Sequence, residues 1–94
     1  MKSLDPRETE LVGQFVMEGK QVLSDETCLR IEWLIKHVLR KLAVDSSGWE
    51  TLYVDPNDGR LWEHTYPQGH MHGGGPPALL CITRDRAKDK YDLV

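Results

Sequence analysis

Glu63, His64, His70 and His72 lie close together in the sequence and have the side-chain types that bind metals. Imidazoles and a carboxylate so placed can ligate zinc. The spacing argues the other way. An HxH pair points in one direction only on a strand, whereas His70 and His72 lie in a glycine-rich loop. No cysteine or further histidine stands at ligand spacing. A small metal-dependent enzyme using these four residues is one alternative, and loop histidines held by ordinary hydrogen bonds are the simpler reading.

Other chemistries find less. Gly73-Gly74-Gly75-Pro76-Pro77 lacks the Lys-Ser/Thr of a phosphate loop, and its prolines remove backbone N–H groups that a cradle needs. Ser46 and Ser47 follow the helical pattern with no base beside them. Cys28 falls within an apolar helical stripe, away from the helix N-terminus that would favour a thiolate. The chain carries no complete catalytic set, and no cofactor is expected.

The whole chain sets the frame. Ninety-four residues with a formal charge of −3 make one domain, residues 1–94, with a single small core. Acidic and basic residues alternate, which argues against nucleic acid as a partner and mildly favours a basic protein. The segment MKSLDPRETE has no apolar export core, and no run approaches a membrane span of about 20 residues. Cys28 and Cys81 suit reduced, buried thiols. These features together suggest a cytoplasmic protein.

The elements follow from periodicity. Leu11–Met17 is β-like, with a short return strand over Lys20–Leu23. Ser24, Asp25 and Glu26 supply a cap and first-turn acids for a helix over Asp25–Ala43. Its stripe is Cys28, Ile31, Leu34, Ile35, Val38 and Leu42. Trp49–Val54 and Arg60–Tyr66 form a hairpin around Asp-Pro-Asn-Asp-Gly, pairing Tyr53 with Trp62, Trp49 with Tyr66, Val54 with Leu61 and Leu52 with Glu63. Pro67–Pro77 is loop, Ala78–Thr83 a strand, and Asp85–Val94 a polar, helical tail. The sum is an α+β fold, a small antiparallel sheet with one dominant helix on one face. Nearly every strand is apolar on both faces, so the loop, the tail or a partner must cover the second. Trp49, Tyr53, Trp62 and Tyr66 share a hairpin face that is either core or an exposed anchor. Trp33 and Leu29, opposite the helix stripe, pose the same choice.

The segments LVGQF, DETCLRIEWLI and GWETLYVDPNDGRLWEHTYPQGHMHGGGPPALL resemble the immunity protein 27 family of bacterial polymorphic toxin systems. The likeness runs from about Glu8 to Tyr91 and is most specific over Asp55–Pro67 and His72–Pro77. It implies an antidote that binds and neutralises a cognate toxin domain by stoichiometric occlusion, without turnover. A generic protein-interaction adaptor is the remaining alternative. The expected binding surface is the hairpin and following loop: Asp55, Asp58, Arg60, Trp62, Glu63, His70 and His72. Acids there could meet a toxin's cationic residues, and Trp62 could act as anchor.

Overall fold

The computed structural model describes residues 1–68 and 75–92. Seven strands and two helices follow one another as β1 (Glu10–Val12), β2 (Phe15–Glu18), β3 (Gln21–Ser24), α1 (Glu26–His37), β4 (Arg40–Val44), β5 (Thr51–Val54), β6 (Leu61–Thr65), β7 (Ala78–Ile82) and α2 (Arg84–Tyr91). Five strands form one sheet in the order β1-β7-β6-β5-β4, and β2 with β3 makes a separate two-stranded ribbon. All pairs are antiparallel. The fold is α+β with one dominant helix.

Helix α1 is capped by Asp25, one residue after the expected cap at Ser24. The Asp25 carboxylate accepts from the Cys28 N–H at 2.9 Å, satisfying one orphan donor of the first turn. Cys28, Ile31 and Leu34 are buried on its inner side. Ile31 and Leu34 pack with Leu11, Tyr53, Trp62 and Leu79 from one sheet face, and Trp33 joins this cluster partly buried. Leu29 stays exposed.

The helix is shorter than its periodic pattern. Val38 leaves helical geometry at φ −120°, and the N–H groups of Val38 and Leu39 both reach the Leu34 carbonyl. Arg40–Val44, expected as the last helical turns, is instead the edge strand paired to β5. Two local features hide it. The register slips between Lys41 and Ala43, a bulge that leaves Leu42 exposed. Only Ala43 packs inward, on a small residue, so no alternation is there to read. Ser46-Ser47-Gly48 accordingly turns a β4–β5 hairpin.

The central hairpin has the register expected from its turn: Tyr53 opposite Trp62, Leu52 opposite Glu63, Val54 opposite Leu61. The Asp55 N–H donates to the Arg60 carbonyl at 2.9 Å, and Gly59 takes φ +78°, where a side chain would be strained. Trp49 precedes β5 and lies outside the core, edge-on to Tyr66 at 6.4 Å. The four aromatic residues therefore divide, Tyr53 and Trp62 going inward and Trp49 and Tyr66 standing at the sheet's end.

The second sheet face is covered by the C-terminal tail. Helix α2, capped by the Thr83 hydroxyl, sets Ala87 and Tyr91 against Leu52 and Leu61. Of the glycine- and proline-rich loop, Gly75 and Pro76 are buried, and residues 69–74 lie outside the described residues. Ile31→Ala should cost about 2–5 kcal/mol in urea unfolding, as a buried large-to-small change. Leu42→Ala should stay within about 0.5 kcal/mol, because Leu42 lies on an exposed strand edge.

Candidate functional site

The residues expected to meet a partner are used mostly inside the molecule. Trp62 is fully buried and its indole N–H finds no acceptor among the described residues, so it serves as apolar bulk. Asp55 is 1% exposed; its carboxylate accepts from the Asn57 N–H at 2.9 Å and shapes the turn. Asp58 accepts from the Arg60 backbone N–H at 3.0 Å and side-chain Nε at 2.7 Å. These hydrogen bonds and the neighbouring positive charge outweigh burial and hold the Asp58 carboxyl below its ordinary pKa. Trp62, Asp55 and Glu63 thus have too little free surface to act as the anchor and acids of an interface. His70 and His72 lie outside the described residues.

Arg60 turns inward as well. Its guanidinium donates to the carbonyls of Glu8 at 2.6 Å and Asp5 at 3.0 Å and lies 4.9 Å over the Trp62 ring. A second arginine completes the clamp. Arg30 on α1 donates to the carbonyls of Lys2 and Ser3 and pairs with both Glu8 carboxylate oxygens at 2.7 Å. Two guanidiniums so placed fix the first eight residues, and Leu4 enters the core. Fork-shaped donors suit that task in a way lysines would not.

Glu63 anchors the other face. It is 2% exposed, and it accepts from the Tyr91 hydroxyl at 2.8 Å while Lys90 Nζ sits 2.7 Å away. Lys90 also reaches Glu50 at 2.5 Å, and the Thr65 hydroxyl donates to the other Glu50 oxygen. Burial would raise the Glu50 pKa, yet the Lys90 and Thr65 hydrogen bonds win and lower it. Burial and the adjacent carboxylate push the Tyr91 phenol far above its usual range. Glu63 thus pins α2 to the sheet. His64 is half-buried between Tyr53 and Tyr66, and burial lowers its pKa. Among the described residues no group of three or more His, Cys, Asp or Glu could hold a metal ion.

Residues 56–59 of the turn stay exposed, and a second exposed surface, an apolar one, lies on the ribbon. Every residue of β2 and β3 is exposed, including Phe15 at 40%, Val16 at 45%, Met17 at 67%, Val22 at 59% and Leu23 at 38%. Cross-strand register puts Phe15, Met17 and Val22 on one ribbon face and Val16 and Leu23 on the other. The base is fastened firmly. The Gly13 N–H donates to the Pro77 carbonyl at 2.9 Å, Gln14 and Asp25 exchange hydrogen bonds, and a Cβ on Gly13 would stand 2.5 Å from Cys28 Sγ. The periodicity of this ribbon was visible in the sequence, but its lack of cover was not. β1 ends beside the start of β7 and the end of β6, so the ribbon leaves the sheet at the end bearing Tyr66. Asp58 and Arg60 lie at the other end.

Tyr91→Phe should cost about 1–3 kcal/mol by chemical denaturation, because a buried carboxylate loses its donor. Glu8 should also govern the acid limb of stability. The Arg30 hydrogen bonds lower its pKa from 4.5 to about 2, so its contribution is full above about pH 4.5 and fades as pH falls towards 2. Glu8→Gln should flatten the stability profile across that window in urea melts taken at successive pH values.

No helix among the described residues is long and apolar enough to cross a membrane, and Cys28 and Cys81 are free thiols. Comparison with curated proteins and with solved structures finds no match. A family model does match, over residues 17–83, and its description is Immunity protein 27. That span takes in the ribbon from Met17 onward, α1 and the sheet from β4 to β7. The chain belongs to the immunity protein 27 family.

Proposed function

We propose that this chain is a cytoplasmic antidote that binds a cognate toxin domain one to one and neutralises it by occlusion, without turnover of its own. Family membership supports the class of activity. The observation that carries the mode of action is the β2–β3 ribbon, whose strands are apolar and exposed. A two-stranded ribbon is marginal in water when nothing packs on it, and a partner that covers it removes apolar area on both faces. Leu29, at the neighbouring start of α1, extends the patch.

Charge indicates the kind of surface that fits. Glu18 and Lys20 are both exposed on the ribbon, and Glu26 beside it shares a surface hollow with Lys2 and Arg30. A toxin surface with an apolar centre and a rim of both charges would complement it, with the rim charges speeding encounter. Neutralising a lethal activity calls for nanomolar affinity, about −12 kcal/mol, and for an interface of roughly 1,600 Å².

Co-expression with a candidate cognate toxin domain is the direct test. Wild type should rescue growth, and equal killing with and without this chain would end the proposal. Replacing Met17 and Val22 together by Asp should leave the melting temperature within a few degrees of wild type, since both side chains are exposed, and should weaken toxin binding at least 100-fold in calorimetric titration, about 2.7 kcal/mol. Retained affinity would move the contact off the ribbon.

A further inference from the structure

Beyond the ribbon, the same end of the sheet carries an open cleft of about 250 Å³ lined by Ser47, Trp49, Glu50, Thr65 and Tyr66. Its volume falls below the roughly 300–1,000 Å³ of pockets that take a whole small ligand, and suits one long side chain. Trp49 is the most exposed aromatic residue of the cleft, at 68%, with Tyr66 edge-on to it at 6.4 Å. Such exposure usually comes with mobility, but here the backbone beneath is fixed. One Asp45 oxygen accepts from the Ser47 hydroxyl, the Gly48 N–H and the Glu50 N–H at 2.8–3.2 Å. The Ser47 hydroxyl in turn accepts from the Trp49 N–H at 3.1 Å. The backbone that carries the exposed indole is thereby held by four hydrogen bonds.

The charge of the neighbourhood is one-sided. Glu50 lines the cleft, one oxygen paired with Lys90 and the other accepting from Thr65, each with a lone pair left for a further donor. Asp45 forms the turn beneath Trp49, and the buried Glu63 shares Lys90 with Glu50. Three carboxylates face one ammonium. An aromatic wall beside excess negative charge attracts a cation, and a planar guanidinium gains most because it stacks on the indole while donating to a carboxylate.

We infer that this cleft receives an arginine side chain of the partner, with Trp49 and Tyr66 as its walls and Glu50 as its carboxylate. The assignment rests on the antidote reading for the identity of the partner, and on the cleft's own geometry for the chemistry. It sets a selectivity rule. The partner's surface must bring an arginine to this end of the sheet, within reach of whatever covers the ribbon.

Two measurements test it. N-acetyl-arginine methylamide, titrated into the free protein, should shift the Trp49 indole and Tyr66 ring resonances, with Trp49→Ala identifying the indole signal. The uncharged citrulline analogue should not shift them. Equal shifts with both probes, or none with either, would overturn the cation site. The cognate toxin domain should bind Trp49→Leu about 10-fold more weakly than wild type, and Trp49→Phe within about threefold, because phenylalanine keeps a π face and leucine keeps only apolar bulk. Wild-type affinity in Trp49→Leu would show that the toxin does not use the cleft and would overturn the assignment. If the arginine probe shifts the signals while wild type neither binds nor neutralises the toxin, the cation site stands and the antidote reading fails.

Discussion

A sheet that is apolar on both faces cannot stand with one helix, and the architecture follows from that constraint. β6 shows it most plainly. Leu61, Trp62 and Glu63 are consecutive and all buried, though alternate residues of a strand point to opposite faces. Helix α1 takes the Trp62 side with Ile31 and Leu34. Helix α2 takes the Leu61 side with only Ala87 and Tyr91. So little apolar area would hold a polar helix weakly. The carboxylate of Glu63, bonded to Tyr91 and paired with Lys90, adds what the apolar contacts lack.

The same economy explains the arginines. A chain this short has little core to spare for its N-terminal segment, and the two guanidiniums reach its carbonyls at four points, at Lys2, Ser3, Asp5 and Glu8. Carbonyls left bare where the segment is partly buried, as at Asp5 and Glu8, would cost free energy, and a fork of donors satisfies two at once. Arg60 and Arg30 thus do the work of a missing layer. The two arginines are thereby committed to the fold, while residues 56–59 of the turn stay exposed.

Much of the fold was legible. The helix start to within one residue, the stripe through Ile31 and Leu34, the hairpin register around Asp55–Arg60 and the need for a second cover all follow from periodicity and turn chemistry. The β4 strand was not legible, because a bulge and an edge position erase alternation and leave a helical coincidence at Val38 and Leu42. The candidate surface was read less well. Asp55, Trp62 and Glu63 have the residue types of an interface, and types alone cannot separate a buried carboxylate with a tyrosine partner from an exposed one. That distinction needs Tyr91, twenty-eight positions away. Conversely, Phe15 to Leu23 looks like ordinary core strand, and only the three-dimensional arrangement shows it uncovered.

The separation of the ribbon from the main sheet has a consequence for the life of the chain inside a cell. Its two strands are joined to each other and anchored at the base, with no third strand beside them among the described residues. Opening there costs less than opening the five-stranded sheet, and local opening is the step that proteases exploit. An unoccupied molecule would therefore be cleared faster than an occupied one. The standing pool would then follow the supply of its partner, with no dedicated sensor to adjust it.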